Sequence, residues 1–169
     1  CLTIEQIVEF ADCLDVEDVR DTVGMQIAKN MEIAAEGLKH NWGANIGSVI
    51  LRRQVGGVEK IAAAWAAAGS DARMSGCERP VVIVSGSGNQ GMTASIPVVV
   101  YARELGKNHE ELLRAVLVSD LITTHLKTGI GCLSAYCGAI SAGVGAGAGI
   151  CYLRGGDFRM IAHTIVNAV

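Results

Sequence analysis

The chain has 169 residues, half of them hydrophobic but only 4% aromatic, with a net charge of -3 and an isoelectric point of about 5.8. That length supports one domain with a real core, made of Ala, Val, Ile, Leu and Gly, in which helices pack closely on one another. The absence of a basic run or an aromatic platform excludes a nucleic-acid binder, and six cysteines with no C-x-x-C pair exclude a zinc ribbon or a thioredoxin-type site.

Thr3-Ile-Glu-Gln6 is a capping box, and the helix it opens is expected to run to about Leu14. Asp15-Val-Glu-Asp18 repeats the device. From there Val16, Val19, Val23, Ile27, Met31, Ala34 and Leu38 recur at three and four residues, one face of a long amphipathic helix. Lys39 and His40 stand where the helix dipole favours cations, His40 as a cap or surface residue. Asn41 to Gly47 is a turn, and a short apolar segment follows to Arg52 and Arg53. Val58 to Ala68 is alanine-rich and helical by propensity. Gly69 to Gly76 reads as a loop whose charges are Asp71 and Arg73. These two are too close in sequence to pair by helix spacing. They are expected as loop charges, with a place beside the following turn as the alternative.

Pro80-Val-Val-Ile-Val84 runs straight into the glycine-rich turn Ser85-Gly-Ser-Gly-Asn-Gln-Gly91, and Met92 to Leu105 reads as a helix beyond it. Such a turn frees backbone N–H groups and aims them at one point, and the helix behind it adds the positive end of its dipole. The predicted chemistry is capture of an anion, a phosphate or a carboxylate. Gly86-x-Gly88-x-x-Gly91 is also a literal dinucleotide fingerprint. That reading needs a second strand ending in an acid. Here Asn108 instead caps another helix, with Glu111 three residues on and Leu112, Leu113, Val116, Leu117, Leu121 and Ile122 on its apolar face. Pro97 is expected to kink the helix after the turn or to mark its true first turn.

Thr128 to Leu153 carries no charge in 26 positions, seven of which are Gly. Length alone would license a membrane span. The Gly content and the missing flanks argue for a buried central helix instead, with Gly143-x-x-x-Gly147 and Gly145-x-x-x-Gly149 admitting a close neighbour. Gly155-Gly156 stops it, and Asp157 caps a last helix bearing His163, a core or interface residue by default. His125 reads as a surface histidine, and most cysteines as small buried residues in a reduced, cytosolic protein. The expected fold is mainly α: a single helical domain over 1–169, a bundle around a buried Gly/Ala-rich central helix, with a short extended run before the glycine-rich turn. The start at Cys1 and the stop inside a helical pattern at Val169 lead to the expectation of a segment of a longer protein.

Three motifs occur in order: Ser70-Asp-Ala-Arg-Met74, Ser85-Gly-Ser-Gly-Asn-Gln-Gly-Met92 and Leu133-Ser-Ala-Tyr-Cys-Gly-Ala139. Together they resemble the L-cysteine desulfidase family, related to the α chain of iron–sulfur L-serine dehydratase. The resemblance covers essentially the whole chain, which looks like a later middle part of the longer family protein. It implies a β-eliminating lyase, L-cysteine to pyruvate, ammonia and sulfide, with L-serine deamination as the alternative. It further implies a [4Fe-4S] cluster held by three thiolates with one iron open as a Lewis acid. Cys137 matches one cluster ligand and Cys132 is a second choice. The other two ligands have no counterpart, so this chain by itself is expected to lack an intact cluster and activity. By the same resemblance Ser85, Gly86, Ser87, Gly88, Asn89, Gln90 and Gly91 hold the substrate carboxylate, with Asp71 and Arg73 nearby. Lys127 is the candidate base for the α-proton, set against a plain helix-terminal lysine. The expected partners are a small amino-acid substrate, the remainder of the parent chain and a second copy in a homo-oligomer, with neither nucleic acid nor membrane. A dinucleotide-binding protein and a non-catalytic helical scaffold are the competing classes.

Overall fold

The computed structural model of the chain describes residues 2–53, 56–131 and 138–168. Eight helices follow one another among these residues: α1 (Ile4–Cys13), α2 (Glu17–Lys39), α3 (Ile46–Arg52), α4 (Val58–Met74), α5 (Gly88–Glu104), α6 (His109–Thr128), α7 (Gly138–Leu153) and α8 (Phe158–Ala168). The mainly α bundle expected from the sequence is what forms. Helices α5, α6 and α7 make the centre. One apolar cluster joins α6 and α7 to α1 and α8 through Ile7, Val118, Ile122, Val144 and Ile161. Another joins α5 to α2 and α4 through Ile33, Ala72, Met92, Ile96 and Val99.

The helix boundaries follow local chemistry. Thr3 and Asn108 each form a full capping box, with Gln6 and Glu111. Asp15 does not repeat it: the cap position of α2 is Val16, and Asp15 instead accepts from the Glu17 amide at 3.1 Å. His40 closes α2, 3.6 Å from Glu36. The expected loop from Gly69 is overturned, because α4 continues through Asp71 and Arg73 to Met74. Gly69 does not break it, since the missing side chain makes room for Met92 Sδ, 2.8 Å from where a Cβ would lie.

The long uncharged run is not a single helix. Helix α6 ends at Thr128 and α7 starts at Gly138, and among the described residues no helix is long and apolar enough to cross a membrane. Of the two glycine spacings on α7, one is used. A Cβ on Gly145 would lie 2.1 Å from Thr123 Oγ1, and one on Gly149 would lie 2.6 Å from the Ala115 carbonyl, so α7 approaches α6 at backbone distance there. Gly143 meets nothing within 4 Å. Pro97 lies inside α5, which starts at Gly88, so it does not mark a first turn.

His163 is exposed, which excludes the core and leaves the interface of its two expected places, because the buried stripe of α8 is Ile161 and Ile165. The expectation for the cysteines fails. None of the described cysteines is fully buried: Cys13 is exposed, and Cys77 and Cys151 are half-buried. They flank the core rather than fill it.

Candidate functional site

Pro80–Val84 is the run for which the sequence predicts an extended backbone. No strand forms among the described residues; only an isolated antiparallel bridge links Val84 to Ser87. The run is held in a different way. Arg79 pairs with Glu32 and Glu36 on α2. Two residues before Glu32, the Asn30 side chain does what a neighbouring strand would do. Its Oδ1 accepts from the Val82 amide at 2.9 Å, and its Nδ2 donates to the Val82 carbonyl at 3.2 Å. The same Nδ2 donates to Ser95 Oγ at 3.2 Å, and Ser95 in turn donates to the Gly91 carbonyl at 2.8 Å. Asn30 is completely buried. This network ties α2, the extended run and the first turns of α5 together.

Between Val84 and Ser87 the chain turns back on itself in two residues. Both Ser85 and Gly86 have positive φ, 47° and 96°, as a tight hairpin turn of this hand requires. The left-handed backbone at Ser85 is strained for a residue with a Cβ, and strain of that kind gathers at functional sites. Ser87 then takes the cap position of α5 in extended conformation, without a side-chain capping bond. The amide of Gly91 reaches the Ser87 carbonyl at 3.1 Å. The amides of Gly88, Asn89 and Gln90 find no acceptor among the described residues. They form an open nest of donors at the positive end of a 17-residue helix.

Three further groups define this end. Arg73, from the last turn of α4, donates from Nη1 to Asn89 Oδ1 at 3.1 Å, and its Nε stands 2.6 Å from where a Cβ on Gly88 would lie. The guanidinium therefore borders the open amides. Gln90 is 5% exposed, and its Oε1 has no hydrogen-bond partner among the described residues. Its amide lies flat on Gly138, where a Cβ would come within 2.1 Å of it. Gly138 is the first residue of α7 and follows Cys137 directly in the chain.

The structure separates the two charges of the Ser70–Met74 motif. Arg73 belongs to the glycine turn. Asp71 faces the other way: its Oδ2 accepts from the Ile46 amide at 2.6 Å and so caps α3. Lys127 lies in the last turn of α6 and is 3% exposed, which sets it apart from an ordinary helix-terminal lysine. Cys132 and Cys137 lie outside the described residues. Among the described residues no group of three or more His, Cys, Asp or Glu side chains could hold a metal. The described part of the chain therefore does not build a cluster site by itself.

Two polar residues escape a reading by apolar period, Asn30 and Asp120. Asp120 accepts from Gln26 Nε2 at 3.0 Å. Burial pushes its carboxyl up to about 7 from an ordinary 3.8, against the smaller opposing pull of the Gln26 hydrogen bond. It lies on the stripe Leu113, Val116, Asp120, Lys127 of α6, and an acid and a lysine on a core-facing stripe were the available signal. A raised carboxyl weakens the fold wherever the unfolded chain would release the proton that the folded chain retains or gives up at a cost. The penalty is absent below about pH 4, grows as pH rises towards 7 and is complete above it. Asp120→Asn keeps the Gln26 contact without the charge. It is expected to stabilise the protein by about 1–2 kcal/mol at pH 8, after discounting for partial exposure, and to make almost no difference at pH 4. Urea titrations at the two pH values check this. Equal effects at both would remove the buried charge as the cause.

The dinucleotide reading of Gly86-x-Gly88-x-x-Gly91 is contradicted by this geometry. A nucleotide crevice of that type lies at the ends of parallel strands, and the described residues contain none. The turn is instead a two-residue hairpin feeding a helix. Comparison with known proteins agrees with a different lineage. A protein of Desulfitobacterium hafniense in the group named UPF0597 is 59% identical over 167 residues, 99% of this chain and 39% of its own length. Another from Lachnoclostridium phytofermentans is 50% identical over 168 residues, 99% of this chain and 40% of its own length. A third, from Finegoldia magna, is 46% identical. The chain thus spans about 40% of the length of the curated relatives it matches. No solved structure matches it significantly. The serine dehydratase alpha chain family matches residues 3–169, which with these relatives shows that the chain belongs to that family.

Proposed function

We propose that the chain forms the carboxylate-binding part of a β-eliminating lyase acting on a small α-amino acid with a β-heteroatom, with L-cysteine as substrate. The observation that carries this reading is the open amide nest of Gly88, Asn89 and Gln90 bordered by Arg73. Backbone donors at a helix start hold an anion without needing a charged side chain, and the guanidinium adds a fixed cation. Family membership supports carboxylate over phosphate, because a serine dehydratase acts on a free amino acid.

Holding the carboxylate does more than anchor the substrate. Loss of the α-proton places negative charge beside the carboxylate, and fixed donors there make that charge less costly. We assign the proton's removal to Lys127. The electron pair of the Cα–H bond forms the Cα=Cβ double bond, and the Cβ–S bond breaks with its pair on sulfur. The product, 2-aminoacrylate, tautomerises and takes up water to give pyruvate and ammonia. The described residues do not by themselves form the site of an iron–sulfur cluster. Cys137, with Cys132 as second choice, is the thiolate we assign to such a cluster in the whole protein. A cytosolic setting fits free thiols. L-Serine remains the second substrate, favoured by the family's description.

An anaerobic assay of the complete protein containing this chain tests the proposal. Sulfide and pyruvate are expected in equal amounts from L-cysteine, faster than pyruvate from L-serine. Pyruvate from L-serine alone would transfer the assignment to the dehydratase. No turnover of either would end the lyase reading.

A further inference from the structure

We propose that the side-chain oxygen of Gln90 is the acceptor that reads the substrate's α-ammonium group, so that the site selects α-amino acids over hydroxy and keto acids of the same shape. The inference rests on the carboxylate reading of the amide nest and adds a second recognised group to it.

Gln90 is the third residue of α5, in the turn that carries the open amides. A glutamine that is 5% exposed normally satisfies both ends of its amide. Here Oε1 has no hydrogen-bond partner among the described residues. Leaving such an acceptor dry is unfavourable by about 1–3 kcal/mol. The side chain is not loose, because its amide is pressed flat on Gly138, with no room for even a methyl group between them. The oxygen is therefore a fixed acceptor in the same helical turn as three fixed donors.

That combination matches one chemical class. A carboxylate needs donors and is repelled by a carbonyl oxygen. A protonated amine offers three N–H donors and nothing else. An α-amino acid presents both groups one carbon apart, which suits a donor nest and an acceptor on one turn. A hydroxy acid offers that acceptor one weaker donor, and a keto acid offers none. Pyruvate, the product of the proposed elimination, therefore loses the group that Gln90 holds.

Calorimetric titration of the full chain with three unreactive acids tests this: L-alanine, L-lactate and pyruvate. L-Alanine is expected to bind at least about tenfold more tightly than L-lactate, with pyruvate weakest. Gln90→Met keeps the length and removes the acceptor, and should reduce the preference to less than about threefold while leaving pyruvate affinity in place. Should that variant not fold, Gln90→Glu carries the test, because an added negative charge should widen the preference for L-alanine. Equal binding of L-alanine and L-lactate by the unaltered chain would overturn the role of Gln90 and leave the carboxylate site standing. An undiminished preference in Gln90→Met, or an unchanged one in Gln90→Glu, would overturn it too. No binding of any of the three acids would bring down the carboxylate reading, and this inference with it.

Discussion

Gly91→Ala is expected to destabilise the protein by roughly 3 kcal/mol or more, a large effect for one methyl group. The new Cβ would stand 2.0 Å from the Val82 carbonyl oxygen. That oxygen cannot step aside, because Asn30 Nδ2 donates to it and Asn30 Oδ1 holds the amide of the same residue. Gly88→Ala, three residues earlier, should behave differently. Its Cβ would meet the side chains of Arg73 and Val81, at 2.6 and 2.7 Å, and both can shift. The expected result is a stability loss of about 1 kcal/mol with a carboxylate affinity at least about tenfold weaker, since displacing the guanidinium removes the cation at the nest. Urea unfolding and L-alanine titration of both variants separate the two effects. Gly91→Ala unfolding within about 1 kcal/mol of the parent would show that the extended run is not pinned as described.

Asn30→Ala should be comparably severe, at about 2–4 kcal/mol. The substitution removes one side chain and strands three partners at once: the amide and carbonyl of Val82, and the hydroxyl of Ser95. A buried group left without its partner loses much more than the net worth of the bond it made. Asn30→Asp is the informative companion. It keeps the acceptor for the Val82 amide but turns the donor into a second acceptor facing the Val82 carbonyl, so it should be no milder than Ala at neutral pH. Thermal unfolding of the pair measures this. If both variants melted with the parent, the polar bracket between α2 and the extended run would contribute nothing.

The parts of the fold that the sequence made legible are those written in local chemistry. The capping boxes at Thr3 and Asn108 set two helix starts, and alanine-rich composition marked α4. Local rules failed where a distant contact decided the outcome. Gly69 looks like a helix end until Met92 is packed into the space it leaves. Val81 to Val84 reads as a strand by composition, but its backbone partner is a side chain 52 residues away. On α2 the apolar period found Val23 and Met31, while the buried stripe also takes in Gln26 and Asn30. A polar residue on such a stripe looks like an interruption until its partner is known. At the site, the glycine turn and Arg73 were legible as motif residues. The division of labour between Asp71 and Arg73, and the contact of Gln90 with Gly138, depend on helix ends meeting in space.

The last turn of α4 has a mechanical consequence. Asp71 fastens the start of α3 and Arg73 fastens the glycine turn, from positions two residues apart on one helix. On a helix that spacing fixes a rise of about 3 Å and a rotation of about 200° between the two attachments. An insertion or deletion between Gly69 and Asp71 would swing both anchors round the axis together by about 100°, unhooking a surface helix and the glycine turn in a single event. The length of this segment is thus held from two sides, and drift in it would be paid for twice.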